Sequence, residues 1–262
     1  ALGYHAGQLA QSGNAVAIGT NAGGNTQGNN AISVGISAGQ TNQGGSSVAI
    51  GNSAGQGTQG QFCIAIGDVA GQGSQGNNGI AIGRNAGQSN QGINSVAIGW
   101  TAGQQTQGSA AVAIGVNAGL LLQAIEGIAI GHNAGTNRQG TDSVAIGTSA
   151  GQNTQGQNAV AIGNLAGQIL QSLNSVAIGF GAGRTQQGTG AIAIGGGAGE
   201  TTQGENSVAI GNNAGDTQQG TSAIAIGASA GAETQGSGAV AIGVDAGRLT
   251  QGTSAIAIGD QA

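Results

Sequence analysis

A sixteen-residue phrase recurs along this chain without one insertion or deletion. With Asn14 as position 1, residues 14–253 form 15 complete repeats, and 1–13 and 254–262 are parts of two more. Self-similarity at a fixed period means stacked units that bury apolar surface only against their neighbours. A period this short has no room for a helix plus a strand. The expected fold class is therefore all-β: a parallel β-solenoid with one 16-residue rung per repeat, about 16 rungs in all. Strands paired at 4.8 Å would make a rod roughly 80 Å long. Residues 1–262 read as a single repeat solenoid, cut in mid-repeat at both ends, as expected for a segment of a longer fibre.

The columns of the repeat carry the physics. Position 3 is always Val or Ile, position 5 is aliphatic and nearly always Ile, and position 4 is Ala except at Ser33. Position 6 is always Gly, position 9 Ala, position 10 Gly and position 14 Gln. Position 15 is Gly except at Ser12, Ala124 and Ser172. The β-branched pair predicts a short strand over positions 2–5. Strand side chains alternate, so positions 3 and 5 face one way and 2 and 4 the other. The larger residues are expected inside, with Val208, Ile210 and the corner alanine Ala214 as core. Glycines at 6, 10 and 15 mark the corners.

Two columns ask for an explanation. The glutamines, among them Gln11, Gln27, Gln43, Gln59, Gln107, Gln203 and Gln251, never vary. Stacked in register they are expected to form a Gln ladder, or to satisfy corner carbonyls and pin the register. Positions 2 and 4 hold nothing larger than Ser or Cys63. If that face points outward, something packs closely on it. Ser207, Ala209, Ala223 and Ala225 are therefore the expected oligomer face between copies of this chain.

Composition narrows the function. Nine acids against four Arg and no Lys give a net charge of −5 and no basic patch, which argues against nucleic acid. No apolar run is long enough to span a membrane. No catalytic residues are expected: His5 and His132 stand far apart in sequence, and no Ser has a matching His and carboxylate. Cys63 falls in the small column and reads as packing. Asp68, Asp142, Asp216 and Asp245 fall in different columns, so no metal ladder is expected, and nothing calls for a cofactor. The GxxAG corners lack the Lys of a phosphate loop.

Breaks in the repeat mark a candidate binding patch. Residues 120–125 read "LLLQAI" and 169–173 read "ILQSL". They contribute Leu120, Leu121, Leu122 and Ile125, then Ile169, Leu170 and Leu173, with Trp100 and Phe180 at the variable corner. Such residues would meet a receptor or another subunit. Alternatively, the leucines fill space left where Ala124 and Ser172 replace Gly.

The phrase "NSVAIG" (94–99, 174–179 and 206–211) resembles the head repeats of YadA-like trimeric autotransporter adhesins. Similar repeats occur in phage tail fibres and fibre-like proteins of large viruses. The resemblance implies a left-handed β-roll, three chains side by side, and an extracellular or virion-surface fibre. It also implies Val and Ile inside the roll, with small residues toward the trimer axis. The expected function is a structural or adhesive fibre segment whose expected partners are its own copies and a host surface receptor or matrix, with no membrane insertion. Two alternatives stay open. One is a filament grown end to end from uncapped rungs. The other is a monomeric ice- or surface-binding solenoid, suggested by Thr at 26, 58, 106, 154, 202, 234 and 250 in position 13.

Overall fold

A computed structural model describes residues 1–262. The fold is an all-β parallel solenoid of about sixteen rungs with no helix. The chain divides into two compact units, Ala1–Ile130 and Gly131–Ala262. Each contains eight three-residue strands at positions 3–5 and eight two-residue strands at positions 13–14. In the first unit Val16 pairs with Ile32 and Ala17 with Ser33. In the second, Val208, Ala209 and Ile210 pair with Ile224, Ala225 and Ile226. The two-residue strands do the same, with Thr202 on Gln218 and Gln203 on Gln219. Within each unit every strand meets its own copy one period on, which is the register the sequence period predicts.

The short strands understate the ladder. Corner amides pair between rungs as well: Gly211 N–H donates to Ile194 O at 2.8 Å, Asn213 to Gly196 O at 2.9 Å, and Gly215 to Ala230 O at 2.9 Å. The backbone is thus satisfied around much of the circumference, which a chain with so little apolar bulk requires. Glycine is needed where the corners close. Gly211 has φ +133°, and a Cβ there would lie 2.5 Å from Gly227 O on the next rung. Gly215 has φ +54°, and a Cβ there would lie 2.9 Å from Gln219 Cδ. Positions 1 and 8 also take positive φ, as at Asn206 (54°) and Asn213 (53°). That accounts for the Asn, Ser, Asp and Gly that dominate these two otherwise variable columns.

The interior reverses the expected facing. Ser207, Ala209, Ala223 and Ala225, assigned above to an oligomer face, are fully buried inside the rungs. Val208 is half-buried and Ile210 is 36% exposed, so both lie on the outside. Ala214 is fully buried. Alternation separated the two faces correctly, but the cavity selects the smaller set. The opposing walls are so close that a Cβ on Gly167 would come within 3.3 Å of Ala161 Cβ. There is no depth for Val or Ile. The partner that keeps positions 2 and 4 small is the opposite wall of the same rung.

Glutamine closes this interior. Gln187 is wholly buried, and its Nε2 donates across the rung to Val176 O at 2.7 Å and to Ala191 O at 3.2 Å. Gln27 does the same to Val16 O and Ala31 O, and Gln43 to Ile32 O and Ser47 O. Gln107 reaches Val96 O, Gln203 reaches Ile192 O, Gln251 reaches Val240 O, and Gln11 reaches Ala15 O. Within this interior column, amide-to-amide ladder bonds run from Gln59 to Gln75 and from Gln219 through Gln235 to Gln251. Most of the column's amide bonds go to wall carbonyls.

The other product is a row of acceptors without donors. Gln171 and Gln187 are among the residues whose buried Oε1 has no hydrogen-bond partner. Each lies against the Cα of the position-10 glycine, so that a Cβ on Gly183 would sit 2.8 Å from Gln187 Oε1. A weak Cα–H···O contact is the compensation available there. Ser33, the one departure from Ala at position 4, relieves this: its Oγ donates to Gln43 Oε1 at 2.7 Å.

Candidate functional site

With small residues inside, chemistry and bulk are presented outward. The most regular outward feature is the Val/Ile pair of each three-residue strand. In the second unit Ile146, Ile162, Ile178, Ile194, Ile210, Ile226 and Ile242 are each 36–37% exposed, one above another. The preceding Val or Ile of each of these strands is half-buried beside them. The first unit carries the same two columns, from Val16 and Ile18 onward. Isolated exposed aliphatics are ordinary on a protein surface, but contiguous columns are not. A typical monomer's largest apolar patch is roughly 300–600 Å². A double aliphatic column runs eight rungs deep in each unit.

The patch residues are distributed over the two units. In the first, Trp100, Leu122 and Ile125 are 49–55% exposed, with Leu120 and Leu121 half-buried beside them. In the second, Phe180 is 66% exposed and Ile169, Leu170 and Leu173 are 36–49% exposed. Most of these leucines and isoleucines are therefore exposed, and Leu120 and Leu121 are half-buried. The same set of positions, 12, 13, 15 and 16, is altered in each unit: Leu121, Leu122, Ala124 and Ile125, then Ile169, Leu170, Ser172 and Leu173.

Charge is sparse, and three of the four arginines are paired. Arg184 donates to Glu200 at 3.1 Å, Arg84 lies 3.7 Å from Asp68, and Arg248 lies 3.6 Å from Asp245. Asp216 occupies the rung after Glu200. Partial burial, reinforced by the Glu200 charge, raises its carboxyl above the usual 3.8. A raised acid binds its proton more tightly when folded. Its contribution to stability is therefore present at acid pH and lost as pH rises through the carboxylate range. Asp216→Asn is expected to raise stability at pH 7 by less than about 1 kcal/mol, given the screening at a partly exposed site. The gain should vanish near pH 3. Thermal melts of both proteins at the two pH values check this.

Burial pushes the Cys63 thiol up, and its Sγ–H donates to Gly76 O at 3.0 Å. It fills the same interior column as Ser47 and Ser95 and is shielded from reagents. Serine at this position caps the second corner, as where Ser207 Oγ donates to Gly204 O at 2.7 Å. No group of three or more His, Cys, Asp or Glu residues is placed to hold a metal. No helix is long and apolar enough to cross a membrane.

An interior of small residues and glutamines, repeated every sixteen residues, defines the class: a repeat solenoid of structural type. Within that class, two segments, residues 123–150 and 187–214, match the family model of the YadA head domain repeat. Both start on an interior glutamine, Gln123 or Gln187, and end on an interior alanine, Ala150 or Ala214. The matches thus fall on the elements that build the rung: the cross-rung amide, the Val/Ile strand and the glycine corner. Among curated proteins, none matches the chain.

Proposed function

We propose that this chain is a segment of an adhesin-like β-solenoid fibre, presented outside a cell or on a virion. In this reading its copies associate side by side, as a trimer, through the Val/Ile columns. The observation that carries the reading is the pair of half-exposed aliphatic columns repeated on every rung. Burying such area at about 25 cal/mol per Å² gives a strong lateral drive even after the entropy of association is subtracted. The YadA head repeat matches support the same assignment, since that family is trimeric and adhesin-like. The function is mechanical and multivalent: stiff rungs hold an outer surface at a distance, and repetition multiplies weak contacts.

The test is the solution mass by light scattering across a hundredfold dilution. Three times the 24.5 kDa chain mass, unchanged on dilution, is the expected result. A monomer at every concentration would overturn lateral association. A mass that climbs steadily would favour end-to-end filaments instead.

A further inference from the structure

The second unit carries a groove that the lateral-association reading does not use. It is open, about 420 Å³ in volume, and follows the two-residue strands. One bank is Thr202, Gln218 and Thr234; the other is Thr221, Ser237 and Thr253. The floor is backbone, including Gly220 and Gly236, with no side chain standing above it. Two threonines outside the groove spend their hydroxyls on the chain itself, as Thr101 donates to Trp100 O and Thr136 to Asn133 O. The groove threonines make no such bond.

We propose that this groove binds one chain of an extended, neutral β-linked glycan. The lining is uncharged, so it offers nothing to phosphate or carboxylate, and it has no apolar wall for a hydrophobic ligand. It supplies neutral donors and acceptors in two rows, repeated at the rung spacing of about 4.8 Å. An extended peptide advances about 3.3 Å per residue and falls out of step with that spacing. An extended pyranose chain advances by nearly one rung per sugar, and because successive β-1,4-linked rings turn over, every second ring meets the polar banks in the same way. The glycine floor admits the ring edge closely. The rungs are held by backbone hydrogen bonds, so the site needs little ordering on binding.

Each sugar's contribution is small, so affinity must grow with ligand length until the groove is full. The groove spans four rungs, from that of Thr202 to that of Thr253. Calorimetric titration of the full chain with cellobiose, cellotetraose and cellohexaose, and with the matching chitin oligomers, tests this. In at least one series the tetramer is expected to bind ten times or more tighter than the dimer, with little further gain for the hexamer. Thr234→Val keeps the β-branched shape and should weaken the tetramer about fivefold with an unchanged circular dichroism spectrum. Thr58→Val, in the first unit, should leave it unchanged. Failure of every tetramer to bind overturns the proposal, as does length-independent affinity or a Thr234→Val protein that binds like the parent. Inhibition of ice growth without glycan binding overturns it too, and assigns the hydroxyl rows to a water lattice. A variant carrying lysine at Ile178 and Ile226 should retain glycan binding, which separates this site from lateral association.

Discussion

Lysine in place of Ile178 and Ile226 is expected to reduce the self-associated chain to a 24.5 kDa monomer while leaving its β-structure intact. The two residues stand three rungs apart on the position-5 column and are each 37% exposed. In the isolated chain a lysine there keeps its ammonium in water and lays its stem along the neighbouring aliphatics. The exchange changes strand propensity by at most about 1 kcal/mol per site. Between copies the same lysines bring unpaired charge into a desolvated seam. In a closed symmetric assembly each charge recurs in every copy, so the penalty is multiplied. Several kcal/mol per site is the expected scale. Light scattering reads the mass, and far-ultraviolet circular dichroism reads the fold. A double variant that stays assembled would remove the Val/Ile columns from the interface. A double variant that unfolds would mean these residues support the coil itself, contrary to their exposure.

Much of this molecule was legible in the sequence, and the part that was not has a definite cause. The unslipping period gives the solenoid and its register, and the three glycine columns give the corners. Ala214 lies in the interior, and the glutamine column spends its amides on wall carbonyls. The facing of the strand did not come through. Placing Val208 and Ile210 inside follows the usual preference of large aliphatics for interiors. That preference presumes an interior deep enough to hold them. Depth is set by how tightly a 16-residue coil closes, a property of backbone geometry rather than of any residue. The signal was present but ambiguous. Positions 2 and 4 never admit a large residue, and either a neighbouring chain or the coil's own far wall would impose that limit. The choice between them decides which face is free to bind. The targets of the glutamines were hidden for the same reason. Val176 O and Ala191 O come within reach of Gln187 only once the two walls are a few ångströms apart.

The same narrow interior predicts opposite outcomes for two substitutions at one alanine. Ala177 is fully buried and lies ten residues before Gln187, the spacing by which Ser33 reaches Gln43. Ala177→Ser should aim its hydroxyl at Gln187 Oε1, which has no donor. A buried hydrogen bond to an otherwise unsatisfied acceptor contributes about 0.5–1.5 kcal/mol. The variant should therefore be as stable as the parent or more stable by that amount. Ala177→Leu adds three carbons where Val176 and Ile178 already point the other way and the facing wall is in contact. Overpacking of this kind costs about 3 kcal/mol or more, because no rotamer fits without parting the walls. Parting them also breaks the Gln187 bonds to Val176 O and Ala191 O, so the damage should centre on neighbouring rungs. Each rung contacts only its neighbours, and hydrogen exchange is therefore a sharper probe than a global melt. The Val176 and Ile192 amides should lose protection in the leucine variant and keep it in the serine variant. Equal protection in both would mean that the interior has room the walls do not show. The inversion of faces, and with it the assignment of Val and Ile to the interface, would then fail.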